Sequence, residues 1–455
     1  MSDLLEKLSE VVSEGGFIAG EALAERHFPG SGVPIALVRP KTTAEVSEIL
    51  KICHAAGQAV VPQGGLTGLV DATQSNLQEL AISLERMNSI EEIDAQSRTM
   101  TVQAGVPLQT VQEAADKADM LFPLDLGARG TATIGGNVST NAGGNRVIRY
   151  GMMREQILGM EVVLADGTIL SSMNKILKNN TGYDLKQLFI GAEGTLGIVT
   201  RLVLRMRPLP VSQEMALLAV DDFDKVTQFL AYIDSALGGT LSAYEVLWQD
   251  YYQLVTKPPA EGRPPLPHDY NYYILLEALG GSITADQERF VGALGEALEQ
   301  ELIQDAVIAQ NQGERDAMWA IRDDVGQVAQ NAPIFTFDIS VSLDQMESYV
   351  EELQASLSEQ WPDHSCMIFG HLGDGNLHII VGNGDSSEES KKAIIETVYA
   401  GLPPRGGSVS AEHGIGLQKK EYLSWSRSED EINLMKILKQ SLDPKSILNP
   451  GKIFA

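Results

Sequence analysis

Two of the chain's seven histidines, His371 and His378, stand together in Phe369-Gly370-His371-Leu372-Gly373-Asp374-Gly375-Asn376-Leu377-His378. Histidines that a core merely tolerates sit among periodic apolar residues, whereas these are set among glycines and lead into the apolar run Ile379-Ile380-Val381. The pattern reads as a loop entering a strand, with both imidazoles near one place. Imidazoles ligate divalent metals, and a carboxylate with a further histidine, Glu412-His413, follows in the glycine-rich stretch 406–416. If the fold brings that pair close, it completes a metal site; otherwise His371 and His378 are core or turn residues.

A second kind of chemistry is written in glycine. Residues 62–70, Pro-Gln-Gly-Gly-Leu-Thr-Gly-Leu-Val, follow an apolar run. Glycines there let backbone N–H groups face a phosphate at close approach, although the loop matches neither the Walker pattern nor G-x-G-x-x-G. Residues 124–151 hold Leu126-Gly127, two Gly-Gly pairs interleaved with Asn, Ser and Thr, and Tyr150-Gly151. Ordering glycine costs the most backbone entropy, so an extended ligand lying along this loop is expected, with a set of tight turns as the alternative. A third glycine loop, 191–198, runs into a strand. Together the three point to one large cofactor with a pyrophosphate and an aromatic ring system.

The elements that must position these residues imply an α+β protein. Residues 35–61 read as a βαβ unit with a helix over 44–56, and strands and a helix over 107–118 follow. Glycine density drops near residues 207–210, which marks a boundary between a domain over 1–210 and one over 211–405. The second domain reads as strands with helices at 223–236, 284–304, 313–331 and 343–360. Residues 406–455 form a tail with a helix at 429–442, and one or two short helices are expected over residues 1–30.

At 455 residues the chain exceeds a single core. Acidic residues outnumber basic ones 61 to 34, for a formal charge of −27. That field argues against nucleic acid or an anionic membrane surface as partner, and an anionic substrate needs a local basic group. The two cysteines, Cys53 and Cys366, leave no disulfide framework. Without a run of about 18 apolar residues or a signal-like start, the reading is cytoplasmic, with peripheral attachment to a membrane partner allowed.

Residues 134–151, 178–200, 371–378, 410–416 and 448–453 resemble the flavin-dependent D-2-hydroxyacid dehydrogenases of the vanillyl-alcohol oxidase superfamily, most of all its D-2-hydroxyglutarate dehydrogenases. The resemblance implies a two-subdomain FAD-binding domain of the vanillyl-alcohol oxidase/p-cresol methylhydroxylase type, an α+β substrate (cap) domain and a C-terminal segment returning to the FAD domain. It implies FAD contacts at Pro62, Gly64, Gly65, Leu66, Thr67, Gly68, Leu69, Leu126, Gly135, Gly136, Ser139, Asn141, Gly144, Tyr150, Gly151, Gly197, Ile198 and Asn449. The loops hold no His or Cys for a covalent link, so non-covalent FAD is expected. His371, His378 and Glu412 are implied as ligands of a divalent metal, taken as zinc. His413 is implied as the base that also touches substrate, and Arg322 as the grip on the substrate carboxylate.

The match departs where the far end of the substrate should lie. Thr336 stands where hydroxyglutarate-specific members carry lysine, Gly326 where they carry threonine, and Ile380 where they carry asparagine. A second carboxylate buried there unpaired would cost several kcal/mol. The expectation is therefore oxidation of a D-lactate-like monocarboxylate by hydride transfer from Cα to FAD N5, with D-2-hydroxyglutarate and D-malate retained. Implied partners are an electron-transfer flavoprotein, quinone or cytochrome as acceptor and a second copy in a homodimer. The alternatives are an oxygen-using 2-hydroxyacid oxidase of the glycolate oxidase type, a non-catalytic flavoprotein, and a zinc hydrolase, which leaves the glycine loops unexplained.

Overall fold

The computed structural model describes residues 2–24 and 32–454. The helices expected over residues 1–30 appear as Ser2–Val11 and Glu21–Ala24, and residues 25–30 lie outside the described residues. The chain divides into two compact units: Met1–Gly143 with Gly151–Leu209 and Glu412–Ala455, and Gly144–Tyr150 with Pro210–Ala411. Sequence reading expects divisions after 210 and 405. The chain instead crosses four times, the short segment Gly144–Tyr150 belongs to the second unit, and the tail joins the first from Glu412.

In the first unit the expected βαβ unit is present. Strands Ala36–Val38 and Val60–Gln63 both pair in parallel with Leu80–Ser83. Between them runs the helix Thr43–Ala56, started by the Thr42 hydroxyl, which accepts the Glu45 N–H at 3.1 Å, and ended by Gly57 at φ +66°. Its Val46, Ile49, Leu50 and Cys53 follow helical spacing and share a core with Val60, Leu80 and Ile82. A five-stranded antiparallel sheet carries a second core, in the order Ile90–Asp94, Thr99–Gln103, Ile198–Arg205, Ile157–Val163, Ile169–Ser172. The tail returns beside the first strand of the glycine loop: Val60 donates to the Ile447 carbonyl at 2.7 Å, and Asn449 donates to the Val60 carbonyl at 2.8 Å.

The expectation of a loop over 134–145 is corrected in part. Ile134–Thr140 is a helix, capped by the Thr133 hydroxyl and closed by Asn141 at φ +51°. One of its glycines is required by packing: a Cβ at Gly135 would lie 2.7 Å from the Ala104 Cβ, and the Gly135 N–H donates to the Ala104 carbonyl at 2.7 Å.

The second unit is a seven-stranded antiparallel sheet in the order Asp305–Ile308, Ser212–Val220, Tyr272–Gly280, Leu241–Trp248, Ser365–Gly370, Asn376–Gly382, Ile334–Ser340. Tyr272–Gly280 is buried along almost all its length, so its sequence, Glu277 apart, is an apolar run rather than an alternating one. The helix expected over 313–331 is broken. Gln312–Asp323 is α-helical, Asp324 leaves the helical region at ψ +45°, and Val325–Asn331 continues as a 3-10 turn. Among the described residues no helix is long and apolar enough to cross a membrane.

The segment Gly144–Tyr150 is tied to this sheet by charge. Arg146 Nε lies 3.0 Å from Glu277 Oε1 and Nη2 lies 3.2 Å from Oε2, while Ser242 and Gln213 also donate to that carboxylate. Arg149 donates to the carbonyls of Thr240 and Leu279. Burial pushes the Glu277 carboxyl up, but Arg146 and the two neutral donors outweigh it and hold it below its ordinary value. Its stabilising contribution is thus present above the unfolded-state carboxylate pKa and is lost as pH falls through the lower folded value. Arg146→Leu is expected to destabilise the protein by about 3–5 kcal/mol in denaturant unfolding at neutral pH. The gap to the wild type should narrow toward acid, where a protonated Glu277 tolerates burial.

Candidate active site

In the second unit, strand register assembles the chemistry. Phe369 pairs with His378 across the hairpin of Ser365–Gly370 and Asn376–Gly382, and a 3-10 turn, Leu372–Asp374, brings His371 back toward it. Gly375 closes that turn at φ +81°, a backbone state glycine takes without strain. The imidazole centroids of His371 and His378 are 5.3 Å apart and nearly perpendicular. Their ring nitrogens lie within 4.8 Å of one another, and a carboxylate oxygen of Asp338, the cross-strand partner of His378, lies within the same distance of the His378 nitrogen.

On the neighbouring strand Leu247 pairs with Phe369 and Val246 with Gly370, so one more step of the register sets Glu245 opposite His371. Glu245 Oε1 lies 2.6 Å from His371 Nδ1, and its Oε2 accepts from Arg322 Nε at 2.9 Å. Arg322 sits in the last turn of Gln312–Asp323, is 8% exposed, and also donates from Nη1 to Asp323 at 3.1 Å. The Tyr251 hydroxyl donates to its carbonyl at 2.9 Å, and its guanidinium lies 5.3 Å from the Phe369 ring centroid. Arg322 is thus a buried residue that pairs with Glu245 as well as with the adjacent Asp323. Burial pushes the Glu245 carboxyl up, but His371 and Arg322 outweigh it and bring it down to about 2.

Sequence reading missed Glu245 and Asp338. The available signal was a lone acid inside an apolar strand, Ser242-Ala243-Tyr244-Glu245-Val246-Leu247, which must find a cation if that strand is buried. Thr336 pairs with Ile380 on the sheet face that carries Asp338 and His378. Ile380 is buried among Tyr251, Phe369 and Met318, while Thr336 is exposed. A Cβ on Gly326 would meet nothing within 4 Å.

The first unit holds most of the glycine loops. A Cβ on Gly65 would run into the Thr131 carbonyl, and one on Gly64 would come within 2.5 Å of the Thr133 hydroxyl, so these two loops touch backbone to backbone. Pro62 packs against Gly194, whose added Cβ would collide with its ring. Leu66 adopts φ +55°, a Cβ on Gly68 would stand in open space, and Leu69 is exposed; Thr67 lies between Leu66 and Gly68. Ser139 donates to the Gly135 carbonyl, Asn141 accepts the Arg154 N–H, and a Cβ on Gly136 would lie 3.3 Å from the Thr133 hydroxyl. Gly151 is at φ +76°, Leu126 packs beside the core, a Cβ on Gly197 would strike Val162 and Phe189, and Ile198 is a core side chain. Gly144 and Tyr150 lie in the second unit, apart from the other expected cofactor contacts in sequence assignment.

Asn449, at φ +43°, donates to the carbonyls of Ala72 at 3.0 Å and Glu193 at 2.7 Å, which fixes its amide orientation. Among the described residues its buried Oδ1 has no partner. Glu193 in turn accepts the N–H groups of Ile415 at 2.7 Å and Gly416 at 2.9 Å. The stretch that begins with Glu412 and His413 is thereby anchored to a glycine loop of the same unit.

Residues 209–453 match the family model described as FAD linked oxidases, C-terminal domain, and residues 34–172 the one described as FAD binding domain. The chain belongs to the FAD-linked oxidase family. It is 38% identical to D-2-hydroxyglutarate dehydrogenase of Xanthomonas citri pv. viticola, over 92% of this chain and 89% of that one. It is 38% identical to the mitochondrial D-2-hydroxyglutarate dehydrogenase of Arabidopsis thaliana, over 92% and 74%. A mitochondrial Schizosaccharomyces pombe relative named for D-lactate dehydrogenase is 37% identical over 91% and 81%. Among solved structures, p-cresol methylhydroxylase with substrate bound superposes with a TM-score of 0.78 at 15% identity, covering 99% of this chain and 96% of that one, which shows the fold type.

The residues of the first unit fit the cofactor of an FAD-linked oxidase. The 62–70 loop approaches Thr131 and Thr133 too closely for a side chain on Gly64 or Gly65, and among the described residues the buried Asn449 Oδ1 has no donor, which a bound group could supply. Gly65→Ala must push the 62–70 loop away from Thr131, at a cost of about 1–3 kcal/mol. The expected result is protein that folds but purifies with clearly less flavin per chain, read from the ratio of flavin to protein absorbance.

Proposed function

We propose that the chain oxidises a D-2-hydroxyacid to the 2-oxoacid, with hydride passing from Cα to N5 of a non-covalently held FAD. The observation that carries this reading is the buried guanidinium of Arg322 beside the imidazole of His371, which itself neighbours that of His378, in a member of an FAD-linked family. A 2-hydroxycarboxylate asks for such a pair of receptors, a cation for its carboxylate and ligand nitrogens for a metal shared with its hydroxyl. In this proposal His371, His378 and Glu412 hold a divalent metal, taken as zinc; two imidazoles and a carboxylate suit it and leave a coordination position open. Glu412 is supported by the chain path, because Ala411, its neighbour, donates to the Asp338 carbonyl at 3.3 Å, and Asp338 is the cross-strand partner of His378.

Bound FAD would supply the hydride acceptor, and a bound divalent cation would ease deprotonation of the substrate hydroxyl. Arg322 receives the carboxylate through the part of its guanidinium that Glu245 and Asp323 leave over. His413, next to Glu412 in the chain, contacts the substrate and takes the hydroxyl proton. Beyond His378 the neutral pair Thr336 and Ile380 favours a D-lactate-like monocarboxylate. Hydroxyglutarate, which the names of the Xanthomonas and Arabidopsis relatives specify, is the second reading. Electron-transfer flavoprotein, a quinone or a cytochrome is the proposed acceptor, and a homodimer the proposed assembly. The free Cys53 and Cys366 support a reducing, cytoplasmic setting, and "mitochondrial" belongs to the names of the Arabidopsis and Schizosaccharomyces relatives.

Anaerobic flavin bleaching by D-lactate, D-2-hydroxybutyrate, D-malate and D-2-hydroxyglutarate tests the proposal. D-lactate or D-2-hydroxybutyrate should reduce the flavin fastest, chelation should stop reduction, and added zinc should restore it. A clear preference for hydroxyglutarate would overturn the pocket reading, and bleaching untouched by chelation would overturn the metal. His413→Asn should lower kcat by about 10²–10⁴-fold with flavin retained. Arg322→Lys should raise KM mainly, because it loses the planar fork that meets a carboxylate.

A further inference from the structure

We infer that Glu245 is a positioning residue shared by the two arms of the site, setting the tautomer of His371 and the orientation of Arg322 with one carboxylate. The inference rests on the proposed hydroxyacid and metal reading and deepens it. Glu245 belongs to none of the glycine or histidine motifs and has no access to substrate through solvent, being 1% exposed. Its two oxygens are divided between two donors on different elements: Oε2 takes the Arg322 Nε–H at 2.9 Å, and Oε1 takes His371 Nδ1 at 2.6 Å. A carboxylate only accepts, so at that distance His371 carries its proton on Nδ1 and leaves the Nε2 lone pair for a metal. Arg322 Nη2 stands 3.5 Å from Nδ1 and 3.2 Å from Nε2. Such similar distances place it beside the ring rather than on the lone-pair axis of Nε2.

The charge arrangement explains why a carboxylate, and no neutral residue, serves here. Glutamine at 245 would present one acceptor and one donor group. Arg322 cannot give up a proton, so the amide oxygen must face it. The NH2 then faces His371 Nδ1, which has to become the acceptor, and the ring proton moves to Nε2, where it blocks metal ligation. Glu245→Gln therefore changes the tautomer while altering the side-chain shape very little. Glu245→Asp keeps an anion, which still calls for an Nδ1 proton, and it should retain the wild-type tautomer.

The test uses full-length, flavin-loaded protein with selectively ¹⁵N-labelled histidine, His371 being assigned by its loss in His371→Asn. Metal-free wild type is expected to show the Nδ1–H form and E245Q the Nε2–H form. Cobalt(II) titration, followed by its d–d absorption, should give affinity about 10–100-fold weaker in E245Q, with E245D much closer to wild type. An Nε2–H form in wild type would overturn the inference even if E245Q failed to fold. So would an E245Q that binds cobalt as wild type does, although the metal reading would then stand. A wild type that takes up no cobalt overturns the metal reading and, with it, this role. Near-UV circular dichroism on each variant distinguishes these outcomes from loss of fold.

Discussion

A charge taken out of water must meet another charge or a set of donors, and the second unit is arranged around two carboxylates under that constraint. Glu245 and Glu277 lie on the neighbouring strands Leu241–Trp248 and Tyr272–Gly280, both essentially without exposure. Each is satisfied from outside its own strand. Glu277 takes Arg146 from a segment far upstream in sequence, and Glu245 takes Arg322 from a helix end and His371 from a hairpin. The first pair accounts for the assignment of Gly144–Tyr150 to this unit in the midst of the cofactor-domain sequence. The second draws Arg322 and His371 to one place.

In the first unit the same constraint is met largely with backbone N–H groups, with a lysine beside one of the carboxylates. Glu193 has no solvent to speak of, and burial raises its carboxyl although the Ile415 and Gly416 N–H groups oppose the rise. Asn449 hydrogen-bonds the carbonyl of that same residue and the carbonyl of Ala72. Asp443 accepts the N–H groups of Ile447 and Leu448 and pairs with Lys439 at 2.5 Å, which orders the last turn before Asn449. The C-terminal segment is therefore held by specific polar contacts at several points. Packing alone would place it less uniquely, because apolar contacts carry no direction.

A chain with a formal charge of −27 that acts on an anion has to keep a cation in a protected place. In the proposed site Arg322 would meet that need at a cost, since it must be neutralised well enough to be buried and yet keep capacity for a substrate. Two acceptors, Glu245 and Asp323, take Nε and Nη1, and the remaining donors are what a carboxylate would use.

Much was legible in the sequence because it depends on local chemistry. The helices Leu343–Gln360 and Glu429–Leu442, the capped helix after Thr42, and the pairing of His371 with His378 follow from period, caps and turn residues. The glycine loops read as cofactor loops for the same reason: a close backbone approach to phosphate favours glycine. That Gly135 belongs to a helix the sequence alone could not say, because what requires a glycine there is the approach of Ala104, just past the strand Thr99–Gln103. The break at Asp324, the transfer of Gly144–Tyr150 and the central place of Glu245 likewise belong to tertiary structure. Each depends on which distant residue supplies the partner for a buried group, and sequence spacing does not encode that pairing.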